Sequence, residues 1–230
     1  MKISVIIPVY NEVATVAAVI RKVRETELSN VFKQIIVVDD GSSDGTREIL
    51  QGLEADGYID SLILMDKNAG KGAALKRGFS RVSGDYVFIQ DADLEYDFSE
   101  TVEMVRLVAV YEAQAVFGSR FLKKNKRNMV YAVGNILATR LFNLFFGTRL
   151  SDLATCYKLF PSILMPDLIL IKNNDFTFDV VELTALIVKK GLKIKEVPIS
   201  YSPRPAKEKK LGLRQGFKII LSVLRKGVLR

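Results

Sequence analysis

The amino-acid sequence predicts an α/β protein in which a mostly parallel β-sheet is flanked by helices. Short, continuously apolar segments alternate with helical patterns through the first half of the chain, at residues 3–9, 34–38, 62–65, 86–90 and 115–118. Continuous apolarity is typical of strands covered by helices on both faces, and strand–helix–strand alternation is typical of parallel sheets. Polar clusters follow four of these segments. Ligands of such sheets bind beyond the carboxyl ends of the strands.

The predicted helices lie between and after these strands. Asn11 is a candidate N-cap for the first helix, because apolar residues from Val16 to Val23 recur at helical spacing. A second helix is expected at residues 46–55, with Asp44 as its cap. The remaining predicted elements are helices at residues 73–81, 128–146 and 179–190, and a strand at residues 193–198.

The end of the chain is strongly basic and carries apolar residues at helical spacing. This pattern predicts a C-terminal amphipathic basic helix, whose apolar side either joins the protein core or lies in an anionic membrane interface. The basic residues are Arg204, Lys207, Lys209, Lys210, Arg214, Lys218, Arg225, Lys226 and Arg230, against one acid, Glu208.

The composition excludes several classes of site. The chain has 230 residues, of which 49% are hydrophobic, so one sizeable core is expected. A net charge of +8 implies an anionic partner: nucleic acid, an acidic membrane surface or phosphorylated substrates. There is no histidine, which excludes Ser-His and Cys-His catalysis. The single cysteine, Cys156, suits a reducing compartment, and no apolar run is long enough to predict a transmembrane helix.

The fourth apolar segment runs directly into the acidic sequence DADLE at residues 91–95. Like charges repel, so acids crowded at the end of a buried strand indicate a cation. Mg²⁺ or Mn²⁺ would be held by Asp91 and Asp93 together with diphosphate oxygens and water. An isolated D-x-D is more often a solvated acidic turn, but the expected position at the binding edge of the sheet favours the metal site.

Three other clusters belong to the same predicted edge. The run DDGSSD at residues 39–44 is either a turn with a helix cap or a source of carboxylates for a nucleotide base and ribose. The run NAGKG at residues 68–72 suits an anion at a helix N-terminus, although a plain turn is the simpler reading and the P-loop pattern is absent. Arg120 is suited either to bidentate phosphate binding or to a salt bridge with a nearby acid.

Taken together, these segments resemble a known family. The runs VIIPVYNE, VVDDGSSDGT, NAGKGAALKRG, GDYVFIQDADLEY and GSR occur in the order found in inverting family 2 glycosyltransferases with the GT-A fold. The downstream runs DLATCYKLF, FTFDVVEL, KEVPISY and RPAKEKKL resemble the branch that glycosylates polyprenyl phosphates, of which dolichol-phosphate mannosyltransferase is the nearest type. The resemblance extends over about residues 3–225.

This resemblance implies roles for individual residues. The nucleotide-binding positions are expected to be Pro8, Tyr10, Glu12, Asp39, Asp40, Lys71, Asp91, Ala92 and Asp93. The metal ligands are expected to be Asp91 and Asp93, with Glu95 as a further ligand. The catalytic positions are expected to be Asp93, Arg120, Arg204 and Lys210, the last two steering the acceptor phosphate and the donor diphosphate.

The sequence departs from the family pattern at two points near the acceptor side. Cys156 stands where the acceptor motif often has glycine, and Asp179 stands where the family has the longer glutamate. The implied division is a GT-A domain at residues 1–205, with nucleotide-sugar binding in 1–120 and the acceptor side in 121–205, followed by a basic segment at 206–230.

The expected activity is transfer of mannose or glucose from GDP-mannose or UDP-glucose to a dolichyl or undecaprenyl phosphate, with Mg²⁺ or Mn²⁺. A phosphate acceptor is largely dianionic at neutral pH, so it needs no general base. The protein is expected in the cytoplasm, bound peripherally to the inner face of the membrane. A separate membrane protein is a further partner that this arrangement allows, whereas nucleic acid is not expected as a partner.

Three alternatives differ from this expectation. The same donor chemistry could serve a soluble, glycan or protein acceptor. A sugar-1-phosphate nucleotidyltransferase is disfavoured, because PVYNE replaces the glycine- and arginine-rich loop of that class after the first strand. A basic nucleic-acid-binding module is disfavoured because the acidic binding edge would repel phosphate unless a metal were present.

Overall fold

The computed structural model describes residues 1–125, 129–204 and 213–228. Seven strands form one sheet in the order β3-β2-β1-β4-β6-β5-β7. The strands are β1 (Lys2–Val9), β2 (Phe32–Asp39), β3 (Ser61–Leu64), β4 (Tyr86–Ile89), β5 (Ala115–Ser119), β6 (Lys158–Pro161) and β7 (Ile194–Pro198). Neighbours pair in parallel except at β6, which runs antiparallel to both β4 and β5. The predicted α/β class and mostly parallel sheet are confirmed.

The described helices pack around this sheet or beside it. They are α1 (Val16–Glu25), α2 (Thr46–Ala55), α3 (Lys71–Phe79), α4 (Thr101–Ala109), α5 (Met129–Phe146), α6 (Met165–Leu170), α7 (Leu183–Lys189) and α8 (Leu213–Val228). Short 3₁₀ turns span Phe98–Glu100 and Ser162–Leu164, and a π-helical turn spans Phe178–Glu182. The C-terminal basic segment therefore contains the predicted helix, whereas residues 205–212 lie outside the described part of the chain.

Three elements of the structure, β6, α4 and α6, were not predicted from the sequence. Strand β6 has only four residues and begins with the charged Lys158, so its apolar pattern is too short to distinguish from a loop. Helix α4 follows the acidic loop and its 3₁₀ turn directly, without a separating turn signal, and α6 has only six residues. The helix predicted at residues 179–190 begins instead with the π-helical turn and continues as α7.

Asn11 is not the N-cap that its sequence position suggested. Helix α1 begins at Val16, and Asn11 has a left-handed backbone with φ of 51°. Its backbone N–H donates to Ser42 Oγ, and its side-chain Oδ1 accepts from the Ser43 N–H. Asn11 therefore ties the loop after β1 to the loop after β2. The N-cap of α2 is Gly45 and not the predicted Asp44, although Asp44 Oδ1, one residue earlier, accepts from the first backbone N–H of that helix.

The buried apolar residues form two clusters. The larger lies between the sheet and the helices that flank it. The smaller lies under α5 and α8, where Phe142 and Phe146 stack with ring centroids 4.3 Å apart and Val223 of α8 is fully buried. The two long helices thus pack on each other and on the π-helical turn, beside the acceptor half of the chain.

The sheet topology brings the predicted functional segments to one edge. Strands β1, β2 and β4 are neighbours in register, with Val9 beside Asp39 and Ile6 beside Ile89. Strand β6 runs in the opposite direction, so its first residue, Lys158, lies beside Ile89 at the carboxyl end of β4. This edge of the sheet therefore combines the carboxyl ends of the parallel strands β1, β2 and β4 with the beginning of the antiparallel strand β6.

Candidate active site

A cavity of about 640 Å³ opens at this edge of the sheet. It is lined by eleven of the predicted site residues: Pro8, Tyr10, Glu12, Asp40, Lys71, Asp91, Ala92, Asp93, Glu95, Arg120 and Arg204. Asp39 does not line it, and Lys210 lies outside the described residues. The topology thus brings together segments separated by almost 200 positions in the chain.

Asp39 is buried and does not line the cavity. Its side chain is fully buried, with Oδ2 at 2.8 Å from Arg47 Nε, and it accepts from the Ser42 N–H. The carboxylate therefore holds the turn after β2 against α2. Sequence position did not distinguish it from Asp40, since both follow the same strand.

Asp40 faces the cavity and shapes the neighbouring loop. Its two carboxylate oxygens accept from the N–H groups of Ala69, at 2.7 Å, and Gly70, at 2.9 Å. Burial raises the pKa of Asp40, and these two hydrogen bonds oppose the rise. Gly41 makes the approach possible, because its φ is +76° and a Cβ there would lie 2.6 Å from the Lys67–Asn68 backbone.

Lys71 begins α3 and connects two acids. Its Nζ lies 2.7 Å from Asp91 Oδ1 and 3.0 Å from Asp179 Oδ2. Burial disfavours the ammonium form, but the two carboxylates outweigh that effect and hold the pKa of Lys71 well above its ordinary value. In turn, burial opposes ionisation of Asp91, while Lys71 outweighs it and lowers the pKa of that carboxyl. Lys71 is therefore a fixed positive charge in the cavity lining, between Asp91 and Asp179.

Arg204 connects the two sides of the cavity mouth. Its Nη2 donates to both carboxylate oxygens of Glu12, at 2.8 and 2.9 Å, and lies 3.2 Å from Asp93 Oδ2. Glu95 holds the same segment, because it accepts from Tyr201 Oη at 3.1 Å and from the Arg204 N–H at 3.0 Å. The acidic loop after β4 is thus joined to the segment after β7.

The carboxylates after β4 lie close enough to repel one another. Burial raises the pKa of Asp93 to about 7, the charges of Asp91 and Glu95 add to the rise, and Arg204 opposes it. Carboxylate oxygens are the ligands preferred by Mg²⁺ and Mn²⁺, and a divalent ion would offset this repulsion. Asp91 and Asp93 therefore fit such an ion.

The predicted three-carboxylate set is not assembled around one point. Across residues 1–125, 129–204 and 213–228, no group of three or more Asp, Glu, His or Cys side chains converges as metal ligands. The physical reason is that each carboxylate has a different partner within the chain: Asp91 has Lys71, Asp93 has Arg204, and Glu95 has Tyr201.

Arg120 makes the salt bridge that was the alternative to phosphate binding, yet it still lines the cavity. Its Nε and Nη2 donate to the two oxygens of the buried Asp152, at 2.7 and 2.8 Å. Burial disfavours the guanidinium, but Asp152 outweighs it and keeps the pKa of Arg120 well above its ordinary value. Asn135 also donates to Asp152, and the guanidinium lies over the ring of Tyr201. Arg120 is therefore held in one orientation at the cavity wall.

Several cavity residues were not assigned a role from the sequence. Asp179 lines the cavity, and its backbone carbonyl accepts from Nζ of the fully buried Lys158 at 2.6 Å. Burial lowers the pKa of Lys158 to about 8. Asp152, Asp179 and Tyr201 all lie in segments that carried the family resemblance, so the motifs identified their region but not their contacts.

The cavity changes character away from the sheet. At its far end it is lined by small and apolar residues: Ala132 and Gly134 of α5, Phe176 and Val180, and Gly216, Phe217, Ile219 and Ile220 of α8. The outer sides of these two helices expose Leu144 (78%), Phe217 (68%) and Val228 (77%), beside the exposed Lys218 and Arg225. None of the helices in the described ranges combines the length and apolarity needed to cross a bilayer.

The mostly parallel sheet with paired carboxylates at its carboxyl edge is the arrangement of a GT-A glycosyltransferase. The chain belongs to glycosyl transferase family 2, whose model matches residues 4–162. Curated relatives that the chain resembles are named as sugar transferases.

Two curated relatives illustrate the range of similarity. Glycosyltransferase AglJ of Haloferax volcanii is 28% identical over 207 residues, which cover 88% of this chain and 64% of the relative. The undecaprenyl-phosphate 4-deoxy-4-formamido-L-arabinose transferase of Salmonella choleraesuis is 37% identical over 148 residues, or 62% of this chain and 42% of the relative. The chain thus spans less than two thirds of the length of these relatives.

Among solved structures, the chain is similar to glucosyl-3-phosphoglycerate synthase from Mycobacterium tuberculosis, in a complex with Mn²⁺, UDP and glucosyl-3-phosphoglycerate. The TM-score is 0.71 at 22% identity, over 98% of this chain and 79% of that one. At this identity the likeness establishes the shared fold.

Proposed function

We propose that this protein transfers a hexose, mannose or glucose, from GDP-mannose or UDP-glucose to a polyprenyl phosphate such as dolichyl or undecaprenyl phosphate, inverting the sugar C1. The single observation that carries the proposal is the shape of the cavity. It joins a charged sheet edge, suited to a nucleotide diphosphate, to an apolar end between α5 and α8 that suits a lipid chain. The name of the Salmonella relative, which includes undecaprenyl phosphate as acceptor, supports the same class.

The donor nucleotide is proposed to lie along the ends of β1 and β2. Tyr10, Pro8 and Asp40 line this side of the cavity, and the loop that Asp40 holds presents Gly70 and Lys71 beside it. Carboxylate and backbone groups at this position suit a base and ribose, and the ammonium of Lys71 suits the diphosphate. Asp39 would act there only indirectly, by fixing the turn that carries Asp40.

Asp91 and Asp93 would hold Mg²⁺ or Mn²⁺, and Glu95 would join them only by giving up its hydrogen bonds with Tyr201 Oη and the Arg204 N–H. When bound, the ion supplies positive charge to the diphosphate that leaves as the C1–O bond breaks. The Mn²⁺ in the structural neighbour is consistent with a divalent ion. Arg204 is placed to add a second positive charge at the same diphosphate, and Lys210 is proposed to join it.

Arg120 is proposed to bind the acceptor phosphate. Asp152 and Asn135 fix its orientation, so the guanidinium can meet an anion at the cavity wall without reorganising. A phosphate monoester is already mostly dianionic at neutral pH and can attack C1 without a general base. The chain offers no histidine for that role.

The outer sides of α5 and α8 are proposed to lie on an anionic membrane surface, on the cytoplasmic face. Exposed Phe217, Leu144 and Val228 would enter the interface, while Lys218 and Arg225 would contact anionic headgroups at about 1 kcal/mol each. Residues 206–230 would then form the membrane-binding part of the chain, and a separate membrane protein could share this surface.

The test is a transfer assay with purified protein and radiolabelled donors. GDP-mannose and UDP-glucose are each offered with Mg²⁺ or Mn²⁺ and a short-chain polyprenyl phosphate, and in parallel with 3-phosphoglycerate as a soluble acceptor. We expect label in the organic phase for one donor. Transfer only to 3-phosphoglycerate would contradict the lipid acceptor while preserving the donor chemistry.

A further inference from the structure

The carboxylate of Asp179 has one oxygen that the protein does not use. The side chain is 2% exposed and lies in the π-helical turn that follows the segment around Phe176. Oδ2 lies 3.0 Å from Lys71 Nζ, whereas Oδ1 is buried and has no hydrogen-bond partner among the described residues. A buried carboxylate oxygen normally has a donor, because leaving a charged acceptor unsatisfied is costly.

The position of Asp179 indicates where the missing donor comes from. Asp179 is among the residues that line the cavity, so its carboxylate lies where the cavity meets the packed core, and Oδ1 is the covered, unpartnered oxygen of that carboxylate. The same turn provides a useful contrast in Glu182, which is also buried and also has one unpartnered oxygen, yet does not line the cavity. Burial alone therefore does not distinguish Asp179; its access to the cavity does.

Lys71 places Asp179 next to the donor diphosphate. One ammonium group contacts Asp91, a proposed metal ligand, on one side and Asp179 on the other. A sugar attached to a diphosphate held at Asp91 and Asp93 begins beside this ammonium. The hydroxyl groups of that sugar would then supply O–H donors on the side of the cavity that Asp179 lines.

We propose that Asp179 accepts a hydrogen bond from a hydroxyl of the transferred sugar and is a specificity-determining residue for the donor. The inference rests on the proposed function and adds a requirement to it: the sugar must present a hydroxyl on the face turned to the π-helical turn. A site built around a buried acceptor discriminates strongly against an analogue that lacks the donor, because the acceptor is then left unpaired.

The experiment compares nucleotide-sugar and nucleotide binding by isothermal titration calorimetry with Mn²⁺. The pairs are UDP-glucose with UDP and GDP-mannose with GDP, measured on the wild type, Asp179→Asn and Glu182→Gln. Asp179→Asn is expected to weaken binding of the nucleotide sugar about tenfold or more while leaving the nucleotide within about twofold. Glu182→Gln, the matched buried acid outside the cavity, is expected to change neither.

Monodeoxy donors identify the hydroxyl and exclude a general effect on folding. Removal of the relevant hydroxyl should weaken binding to the wild type about tenfold and should have little further effect in Asp179→Asn. If Asp179→Asn does not fold, Asp179→Glu replaces it, since it keeps the charge and moves only the oxygens.

Several results would overturn the inference. Equal weakening of UDP and UDP-glucose would show that Asp179 acts only through Lys71. Normal nucleotide-sugar binding by Asp179→Asn would contradict the sugar contact. So would additive losses of affinity when Asp179→Asn is combined with each deoxy donor. Either result would leave the proposed function intact. Failure of the wild type to bind either nucleotide sugar would overturn both.

Discussion

Among the single residues of the site, the acidic and basic side chains that are proposed to bind metal or diphosphate form ion pairs with each other in the protein alone. Arg204 contacts Glu12 and Asp93, and Lys71 contacts Asp91 and Asp179. These basic groups offset carboxylate repulsion within the protein itself. A divalent ion at Asp93 would compete with Arg204 for the same carboxylate, which frees the arginine to meet the diphosphate.

Asp93→Asn is expected to reduce turnover by about 10²–10³-fold, because the variant loses a charge that holds the metal at the leaving diphosphate. Turnover is measured in the transfer assay over a Mn²⁺ titration. Asp97→Asn is the matched control, since Asp97 lies in the same acidic stretch but caps the following 3₁₀ turn and does not line the cavity. Full activity of Asp93→Asn would refute the metal assignment.

Asp152→Asn is expected to lower stability by about 3–5 kcal/mol at neutral pH, because it leaves the Arg120 guanidinium buried without its counter-charge. Urea unfolding measures the loss. Glu103→Gln is the control, since its pair with Arg106 is exposed and should contribute nothing resolvable. An equal stability for Asp152→Asn and wild type would show that Arg120 does not need this carboxylate.

The same variant tests a pH dependence. Burial opposes ionisation of Asp152, but Arg120 outweighs it and lowers the pKa of the carboxyl in the folded state. The unfolded chain therefore binds more protons than the folded one in the acid range. This contribution to stability is fully present above the unfolded pKa of about 3.9 and is lost as the pH falls through the folded value. Unfolding at stepped pH should show the wild type converging on Asp152→Asn below about pH 4.

At the scale of elements, the reversed strand and the two long helices determine the acceptor half of the site. Strand β6 brings Lys158, and the segment before it with Cys156, to the edge formed by the ends of β4 and β5, which a purely parallel sheet would not do. Helices α5 and α8 then close the apolar end of the cavity over a small core of their own. The position of this end depends on how well that core is packed.

Phe142→Ala is expected to cost about 3–5 kcal/mol of stability, because Phe142 is fully buried in the small core and stacks on Phe146. Leu144→Ala, on the same helix but 78% exposed, should change stability by less than about 0.5 kcal/mol. Chemical unfolding followed by circular dichroism measures both. Equal effects would mean that α5 is not packed as described.

At the scale of the whole molecule, the net charge of +8 and the exposed apolar residues act together. Part of α8 is exposed, including Phe217, Val228, Lys218 and Arg225, while Val223 of the same helix is buried and α8 packs on α5. Attraction between this surface and anionic headgroups weakens as salt screens the charges. The proposed attachment is therefore reversible and dependent on ionic strength.

The wild type is expected to float with vesicles that contain anionic lipid at low salt and to be released at high salt. Phe217→Ser should reduce flotation severalfold, because Phe217 is 68% exposed on α8. Phe32→Ser is the matched control: this phenylalanine is 77% exposed at the start of β2, at the opposite end of that strand from the cavity. Absence of flotation at low salt would refute the membrane surface.

The sequence by itself determined the α/β class, most strands, the helix at residues 46–55 and the acidic pair after β4. Each of these is encoded by neighbouring residues: apolar runs, helical spacing and polar residues at strand ends. The family match over residues 4–162 agrees with the motifs read from those stretches.

The salt-bridge and hydrogen-bond partners of the charged residues became visible in the folded structure alone. It placed Asp39 against Arg47 and turned Asp40 to the cavity, although the two are adjacent in sequence. It brought Arg204 to Glu12, 192 positions away, and left Oδ1 of the cavity-lining Asp179 buried without a hydrogen-bond partner among the described residues. The physical reason is that local patterns fix the direction and burial of each element, whereas a side chain's partners depend on where distant elements come together.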